Sequence, residues 1–333
     1  MTDPVRSTQP ARSTPTDPST RTLRIGSRRS PLARAQSDRV AALLARHGIA
    51  STFVPIVTTG DVDRRELTQI GGTGVFVTAV RDALLTGGID LAVHSAKDLP
   101  SAPAAGLTMA AVPERADVRD VLVGVRLADL RSGMRVGTGS PRRAVQLTSW
   151  ARARGIELAV VSVRGNVDTR LRLVGVVDAV LLAAAGLARL GLLDTLDPLT
   201  HEVLATDVVL PAGGQGALAV EIADTADETV RRACALLDHP RHHAEIDAER
   251  AFLAALGVGC LAPVGVLAQT TDGDGTSSDL TMAAVIGKTL GVEVDLSGDP
   301  GPLTRLESTG SVANAERVGV DLARRALTDR DQV

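Results

Sequence analysis

The sequence predicts an α/β protein with two lobes around a cleft, followed by a small α+β C-terminal domain. Apolar segments of strand length alternate with helical patterns through about the first two thirds of the chain, which is typical of mostly parallel sheets covered by helices. A strand, polar turn and helix start occur twice, and the pattern then changes to several short strands flanked by helices. With 333 residues, the chain is long enough for two or three domains.

The composition excludes several classes of function. The chain is 44% hydrophobic and 23% charged, which is typical of a globular protein, and its formal net charge of −3 is far from that of a DNA-binding domain. Aromatic residues make up only 1% of the sequence, so base stacking on aromatic side chains is poorly supported. Two cysteines cannot form a disulfide framework, and no apolar signal segment is present, so we expect a cytoplasmic protein.

Changes of composition divide the chain into four parts. Residues 1–20 are rich in Ser, Thr and Pro and are predicted to form a disordered tail. Residues 21–115 and 211–235 are predicted to form domain 1, an α/β lobe, and residues 119–209 to form domain 2, a second α/β lobe. Residues 238–333 are predicted to form domain 3, of α+β type.

The first lobe is predicted to begin with a strand that leads directly into a helix. Ser30 is a favourable N-cap, and Pro31 suits the first helical position because it has no N–H to lose there. The predicted elements are strands at 23–26, 53–57 and 90–94 and a further helix at 75–85.

The second lobe repeats this pattern, because Val136-Gly137-Thr138 leads to Ser140-Pro141 as Ile25-Gly26-Ser27 leads to Ser30-Pro31. A strand is predicted at 157–163, and the segment 208–222 is predicted to return the chain to the first lobe. Domain 3 is predicted to contain helices at 244–256 and 313–327 and strands at 262–268, 280–286 and 291–296.

Arginines cluster beside three predicted strand ends. Their planar guanidinium groups pair bidentately with carboxylate or phosphate, and helix N-termini also attract anions. Together they predict a polyanion site, although any one of them could be an ordinary surface residue. The six are Arg28, Arg29, Arg142, Arg143, Arg164 and Arg170.

The segment HSAKDLP directly follows a predicted buried strand. Ligands of parallel α/β sheets bind beyond the carboxyl ends of the strands, so Lys97 and Asp98 lie where chemistry is usually placed. The alternative is a surface ion pair. His94 is expected to be structural, since no GxSxG nucleophile motif supports a catalytic triad.

Cys260 lies in the glycine-rich segment LGVGCLAPVG, where a thiol is accessible to reagents. Cys234, by contrast, falls on an apolar helix face and is expected to be structural. His239, His242 and His243 could suggest a metal site, but a solvated helix start is the simpler interpretation, and we expect no metal.

Nine segments, in the same order, resemble the porphobilinogen deaminase (hydroxymethylbilane synthase) family. They are RIGSRRSPLARAQ, TTGD, GGTGVF, AVHSAKDLP, VGTGSPRR, VRGNVDTRL, AAAGLARLG, LPAGGQGALAVE and LGVGCLAPVG, and the resemblance as a whole extends over about residues 21 to 330. The resemblance implies two lobes hinged like periplasmic binding proteins and a third domain whose Cys260 holds a dipyrromethane cofactor through a thioether. The implied reaction joins four porphobilinogen molecules head to tail with loss of ammonia and then releases hydroxymethylbilane by hydrolysis.

The resemblance also implies roles for individual residues. Asp98 matches the catalytic aspartate. The implied cofactor-binding residues are Cys260, Lys97, Asp98, Ser95, Thr138, Ser140, Arg142, Arg143 and Arg164. The implied substrate-binding residues are Arg28, Ser30, Gln36, Phe76, Arg164, Arg170 and Gln215.

The chain departs from the family pattern at a few positions. Gln69 and Thr73 stand where many members have lysine, and Gly139 replaces a residue that is commonly hydroxylated. The alternatives to the enzyme are a non-catalytic carboxylate-binding protein on the same two-lobed scaffold and a hydrolase that uses Cys260 as its nucleophile. We expect porphobilinogen as the small-molecule partner, a monomer, and binding to neither nucleic acid nor membrane.

Overall fold

The computed structural model describes residues 21–57, 77–259, 261–271, 279–288 and 301–331. In chain order the strands are β1 (Leu23–Arg28), β2 (Ser51–Ile56), β3 (Leu91–Ser95), β4 (Leu107–Ala111), β5 (Asp120–Val123), β6 (Arg135–Gly137), β7 (Ala159–Val161), β8 (Ala179–Ala183), β9 (His201–Val203), β10 (Leu218–Ala223), β11 (Val264–Thr271), β12 (Asp279–Ile286) and β13 (Thr304–Ser311). The α-helices are α1 (Pro31–Arg46), α2 (Thr78–Leu85), α3 (Pro141–Arg152), α4 (Val167–Leu171), α5 (Ala184–Arg189), α6 (Glu228–Leu237), α7 (Pro240–Ala255) and α8 (Ala315–Asp331).

The first sheet has the strand order β2-β1-β3-β10-β4. β1 lies parallel to β2 and β3, whereas β10 runs antiparallel to both β3 and β4. Because β10 lies between two strands from the start of the chain, the predicted return of segment 208–222 to the first lobe is confirmed. The side chains of Val40 and Leu44 on α1 pack into the same core as Leu23 and Ile25 on β1.

The second sheet has the order β7-β6-β8-β5-β9 and repeats the first in strand direction as well as in order. β6 lies parallel to β7 and β8, and β5 runs antiparallel to β8 and β9. The sequence echo at the two strand-to-helix turns therefore reflects two α/β lobes of the same topology. In each lobe the order reverses beside the first parallel strand, where ligands bind in open α/β sheets.

The third sheet is an antiparallel meander, β11-β12-β13, whose core is shared with α7 and α8. β11 is an edge strand, and part of its edge is covered by protein. Glu249 accepts the N–H of Ala268, Glu245 accepts that of Thr270, and the N–H of Val266 donates to Pro211. These bonds satisfy backbone groups that would otherwise invite pairing with another chain.

The described third strand, β13, lies at 304–311, where no strand was predicted. Its side chains are mostly polar, and of its residues only Leu306 is buried, so its sequence lacks an apolar signal. The predicted strand at 291–296 lies outside the described residues, as does the N-terminal tail. The fold class, two α/β lobes plus a small α+β unit, is confirmed, and the exact domain limits remain a prediction.

Within the described ranges, no helix is both long and apolar enough to cross a membrane.

Candidate functional site

The candidate site begins where β3 ends. Ser95 is the last residue of this strand, and a single 3₁₀ turn, Ala96–Asp98, follows it. Ala96 is buried and anchors the turn, Lys97 is half-buried, and Asp98 is exposed. The turn thus presents the Asp98 carboxylate to solvent beside the switch point between β1 and β3.

The corresponding place in the second sheet is the turn between β6 and α3. The Thr138 hydroxyl is buried and accepts the N–H of Ser140 at 3.1 Å. Ser140 is the N-cap of α3, yet its side chain makes no capping hydrogen bond to the described residues. Its hydroxyl therefore remains available to a ligand at this helix N-terminus.

A buried carboxylate, Asp120, organises the first turn of α3. Arg142 donates from Nη1 to Asp120 Oδ2 at 2.7 Å and to the carbonyl of Leu210 at 2.7 Å. Arg143 donates from Nη2 to Asp120 Oδ1 at 2.8 Å and from Nη1 to the carbonyl of Leu181 at 3.0 Å. One carboxylate thus holds two guanidinium groups, which leaves an excess of positive charge.

These contacts shift the ionisation of the buried groups. Burial raises the pKa of Asp120, but Arg142 and Arg143 outweigh that effect and hold it far below its usual range. Burial lowers the pKa of Arg142, with Asp120 opposing. Burial and the neighbouring Arg143 lower the pKa of Lys97 to about 8. Lys97, Arg142 and Arg143 thus lie close enough to interact, and they share the Asp120 carboxylate as a nearby negative charge.

Gln215 lies between the two sheets and is 1% exposed. Its Nε2 donates to Asp120 Oδ1 at 2.9 Å and to the carbonyl of Val118 at 2.7 Å. Its Oε1 accepts from Lys97 Nζ at 3.4 Å. These hydrogen bonds join Lys97, on the Asp98 turn, to the carboxylate that holds Arg142 and Arg143.

Two further arginines lie close enough to interact with the charges of this site. Arg164 is exposed after β7, and Arg170 is half-buried on the short helix α4. Burial, Arg143 and Arg164 lower the pKa of Arg170, while Asp98 raises it. The Nε–H groups of Arg142 and Arg170 are buried and have no acceptor among the described residues. An anionic ligand would satisfy them.

The first lobe contributes the residues after β1. Arg28 is half-buried at the end of the strand, and Ser30 caps α1 by accepting the N–H of Ala33 at 3.2 Å, as predicted. Gln36, proposed from the resemblance as a substrate contact, is 4% exposed on the buried side of α1.

Several expected site residues lie outside the described residues: Phe76, Cys260, Gln69 and Thr73. Gly139, the other departure from the family pattern, has a steric reason. A Cβ at this position would lie 2.7 Å from the carbonyl oxygen of Val163, so a larger residue would require a backbone shift.

Two residue groups that sequence analysis weighed as structural have protein partners. His94 is buried, and its Nε2 lies 3.2 Å from the carboxylate of Glu221, which also binds Arg81. His239 accepts the N–H of His242 at the start of α7, and His243 lies 2.7 Å from Asp238. No set of three metal-binding side chains is found in the described parts of the chain.

Asp120 and Glu249 are the polar residues that sequence analysis missed. Asp120 is the first residue of the apolar strand β5, next to a charged segment, and Glu249 interrupts the buried face of a helix. An acidic residue at a predicted buried position is the signal that could have identified both, because buried charges require partners.

The chain is similar in sequence to known porphobilinogen deaminases. Residues 23–232 match the family model "Porphobilinogen deaminase, dipyromethane cofactor binding domain", and residues 243–328 match "Porphobilinogen deaminase, C-terminal domain". Porphobilinogen deaminase 1 of Streptomyces coelicolor is 48% identical over 306 residues, which cover 90% of this chain and 92% of that protein. Porphobilinogen deaminase of Leifsonia xyli subsp. xyli is 51% identical over 261 residues, covering 75% of this chain and 77% of that protein.

Among solved structures, a periplasmic substrate-binding protein of an ABC transporter from Coxiella burnetii is 16% identical. The match covers 65% of this chain and 92% of that one, with a TM-score of 0.39. The two family models together match most of the sequence, and the chain belongs to the porphobilinogen deaminase family.

Proposed function

We propose that the chain is the transferase that joins four porphobilinogen molecules head to tail, releases one ammonia at each step and finally hydrolyses off hydroxymethylbilane. The observation that supports this most strongly is the group of five cations, Lys97, Arg142, Arg143, Arg164 and Arg170, around the Asp98 turn. Each pyrrole unit has an acetate and a propionate side chain, so the growing product is a polycarboxylate. Forked guanidinium groups at helix starts suit such a ligand.

The residues at the site fit the dipyrromethane cofactor of this family. The buried Nε–H groups of Arg142 and Arg170 lack acceptors among the described residues, and the Ser140 hydroxyl makes no cap bond there. When bound, the dipyrromethane supplies the primer to which the first porphobilinogen is joined. Its thioether would be formed by Cys260. Its carboxylates would be held by Ser95, Lys97, Thr138, Ser140, Arg142, Arg143 and Arg164.

Asp98 is proposed as the catalytic residue. Loss of ammonia from porphobilinogen leaves a cationic pyrrole, and a fixed carboxylate stabilises the developing charge. The same carboxylate can accept the ring N–H in a charge-assisted hydrogen bond. The remaining proposed substrate contacts, all implied by the resemblance, are Arg28, Ser30, Gln36, Phe76, Arg164 and Arg170. Gln215, which the resemblance also implies, has its side-chain polar atoms bonded to protein groups.

Replacement of Asp98 tests this function. Asp98→Asn keeps the size of the side chain and removes its charge, so turnover of porphobilinogen is expected to fall by about 100-fold or more. Turnover is measured as uroporphyrin fluorescence after oxidation of the released product. Intact mass of the variant serves as the control that the cofactor is still attached. Turnover within twofold of the parent would contradict the assignment.

We also propose that the chain acts as a monomer in the cytoplasm and binds neither nucleic acid nor membrane. The net charge of −3 supports the absence of nucleic-acid binding. Light scattering on the purified protein should give a mass near 34.4 kDa plus the cofactor. The alternative of a non-catalytic carboxylate-binding protein is not favoured, because the matched region includes the C-terminal domain of the deaminases.

A further inference from the structure

The Gln215 amide is oriented by its protein neighbours. An amide NH₂ has two donors, and both are used, one by Val118 and one by Asp120. The amide oxygen must then point the opposite way, and it faces Lys97 Nζ. The side-chain polar atoms of Gln215 therefore bind Lys97 on the Asp98 turn and Val118 and Asp120 where the chain enters the second sheet.

The backbone at Gln215 is held as firmly as its side chain. The N–H of Gly214 donates to Glu249 Oε2 at 2.6 Å, and Arg115 Nε donates to the carbonyl of Gln215 at 3.0 Å. Arg115 in turn binds Glu249 through both terminal nitrogens, at 2.9 and 3.1 Å. Glu249 is fully buried on α7, the helix that precedes Cys260.

Gly214 allows this junction to form against the Asp98 turn. Its φ of +77° favours glycine, and a Cβ there would lie 2.7 Å from the backbone nitrogen of Lys97. The backbone of residues 214–215 therefore packs directly on the turn that it also binds through the Gln215 side chain.

We propose that Gln215 is a positioning residue: it couples Lys97, beside Asp98, to the Asp120–Arg142–Arg143 group across the two lobes, and Glu249 holds it in place. The inference rests on the proposed function. It makes Gln215 a link between protein groups, whereas the resemblance implied a contact with substrate. Gln215 then acts on the reaction by setting where the Lys97 ammonium lies, without touching porphobilinogen.

The chain offers a direct readout, because Lys97 and Lys288 are its only lysines. Protein labelled with ¹³Cε-lysine gives two resonances, and Lys288 serves as the internal reference. Lys97 faces Asp98 on its own turn, Asp120 at the start of β5, and Arg142 and Arg143 on α3. Gln215→Leu removes the neutral acceptor of the Lys97 ammonium, so the titration midpoint of Lys97 should fall.

The same variant separates positioning from substrate binding by kinetics. With a positioning role, kcat should fall about tenfold, as expected for lost hydrogen bonds at an active site, while KM for porphobilinogen stays within twofold. A raised KM with unchanged kcat and an unchanged Lys97 midpoint would overturn the proposal and make Gln215 a substrate contact. The NMR measurement does not depend on turnover, so it remains informative if the proposed function fails.

Glu249→Gln provides a second test of the positioning role of Gln215, and Glu245→Gln is its matched control. Both glutamates are buried on α7 and lie near Arg115, but only Glu249 binds the N–H of Gly214. Glu249→Gln should shift the Lys97 midpoint, and it should add little when Gln215 is already Leu. Glu245→Gln should leave the midpoint unchanged. Equal shifts from both glutamate variants, or full additivity with Gln215→Leu, would overturn the proposal.

Discussion

Asp120 shows how a single residue sets the charge of the site. It is fully buried, and its carboxylate accepts hydrogen bonds from Arg142, Arg143 and Gln215. A buried carboxylate without such partners would be costly, and buried arginines without it would be equally costly. The two arginines therefore have fixed positions before any ligand arrives, which reduces the entropy lost when a carboxylate binds.

Asp120→Asn should destabilise the fold strongly at neutral pH. Arg142 and Arg143 would lose their shared counter-charge, and breaking a buried pair in this way costs about 3–5 kcal/mol. The pKa of Asp120 is lower in the folded than in the unfolded state, so its stabilisation is present above about pH 4 and is lost as the pH falls towards the folded value.

Urea unfolding of parent and variant at several pH values measures this contribution. The difference between the two proteins should be largest near neutral pH and should shrink in the acid range below about pH 4. Arg317→Gln, which removes an exposed ion pair on α8, is the control and should change the unfolding free energy by less than about 1 kcal/mol. A pH-independent difference for Asp120→Asn would contradict the assigned role.

The N-termini of helices α1 and α3 both begin with Ser-Pro, but their hydrogen bonds differ. Ser30 accepts the N–H of Ala33 and caps α1, whereas Ser140 makes no cap hydrogen bond at α3. Ser30→Ala should therefore lower the unfolding free energy by about 1 kcal/mol. Ser140→Ala should change it much less and should instead lower the fraction of the protein that acquires the cofactor.

The pair is compared by urea unfolding for stability and by intact mass for cofactor content. Each variant serves as the control for the other. Equal losses of stability from both variants would show that Ser140 is an ordinary cap, and its assignment to the cofactor would be withdrawn.

Helix packing in the third unit depends on a glycine. A Cβ at Gly319 on α8 would lie 2.1 Å from the backbone oxygen of Ala248 on α7. Gly319→Ala should therefore separate the two helices and lower the midpoint of thermal unfolding. Gly186→Ala, in α5, meets only ordinary contacts at 3.9 Å and beyond, so the gain in helix propensity should leave stability equal or slightly higher. A neutral Gly319→Ala variant would contradict the close packing of α7 and α8.

Elements with a strong apolar period could be predicted from the sequence, and elements without one could not. The observed α1 begins at the predicted Pro31, and β3 and β12 lie close to their predicted limits, because each combines buried residues with clear turn signals. β13 escaped prediction because its side chains are mostly polar and its place is fixed by hydrogen bonding to β12. The positions of Lys97 and the arginines near strand ends followed from the sequence.

The residues that bind Lys97 and the arginines could not be predicted from the sequence. Asp120 and Glu249 act through contacts between segments far apart in the chain, and no local pattern indicates which charges meet. Gln215 shows the same limit: its motif pointed to the site, but the choice between substrate and protein partners depends on three distant residues.

In the whole molecule, α7 of the third unit binds the two segments that connect the lobes. Glu249 accepts hydrogen bonds from Arg115 in the first connecting segment and from the N–H of Gly214 in the second. Hinge motion of the lobes, expected from chain crossings near Arg119 and Val209, remains a prediction. The helix that leads to Cys260 is thus joined directly to the segments that place Lys97.

In the proposed function, a dipyrromethane on Cys260 serves the polycationic site around Asp98. The intact mass of the denatured protein as purified, compared with that of Cys260→Ala, tests this assignment. We expect an excess equal to two linked pyrrole units on the parent protein and the bare sequence mass for the variant. The same excess on Cys260→Ala, or turnover by a parent protein of bare mass, would rule out Cys260 as the attachment point of the cofactor.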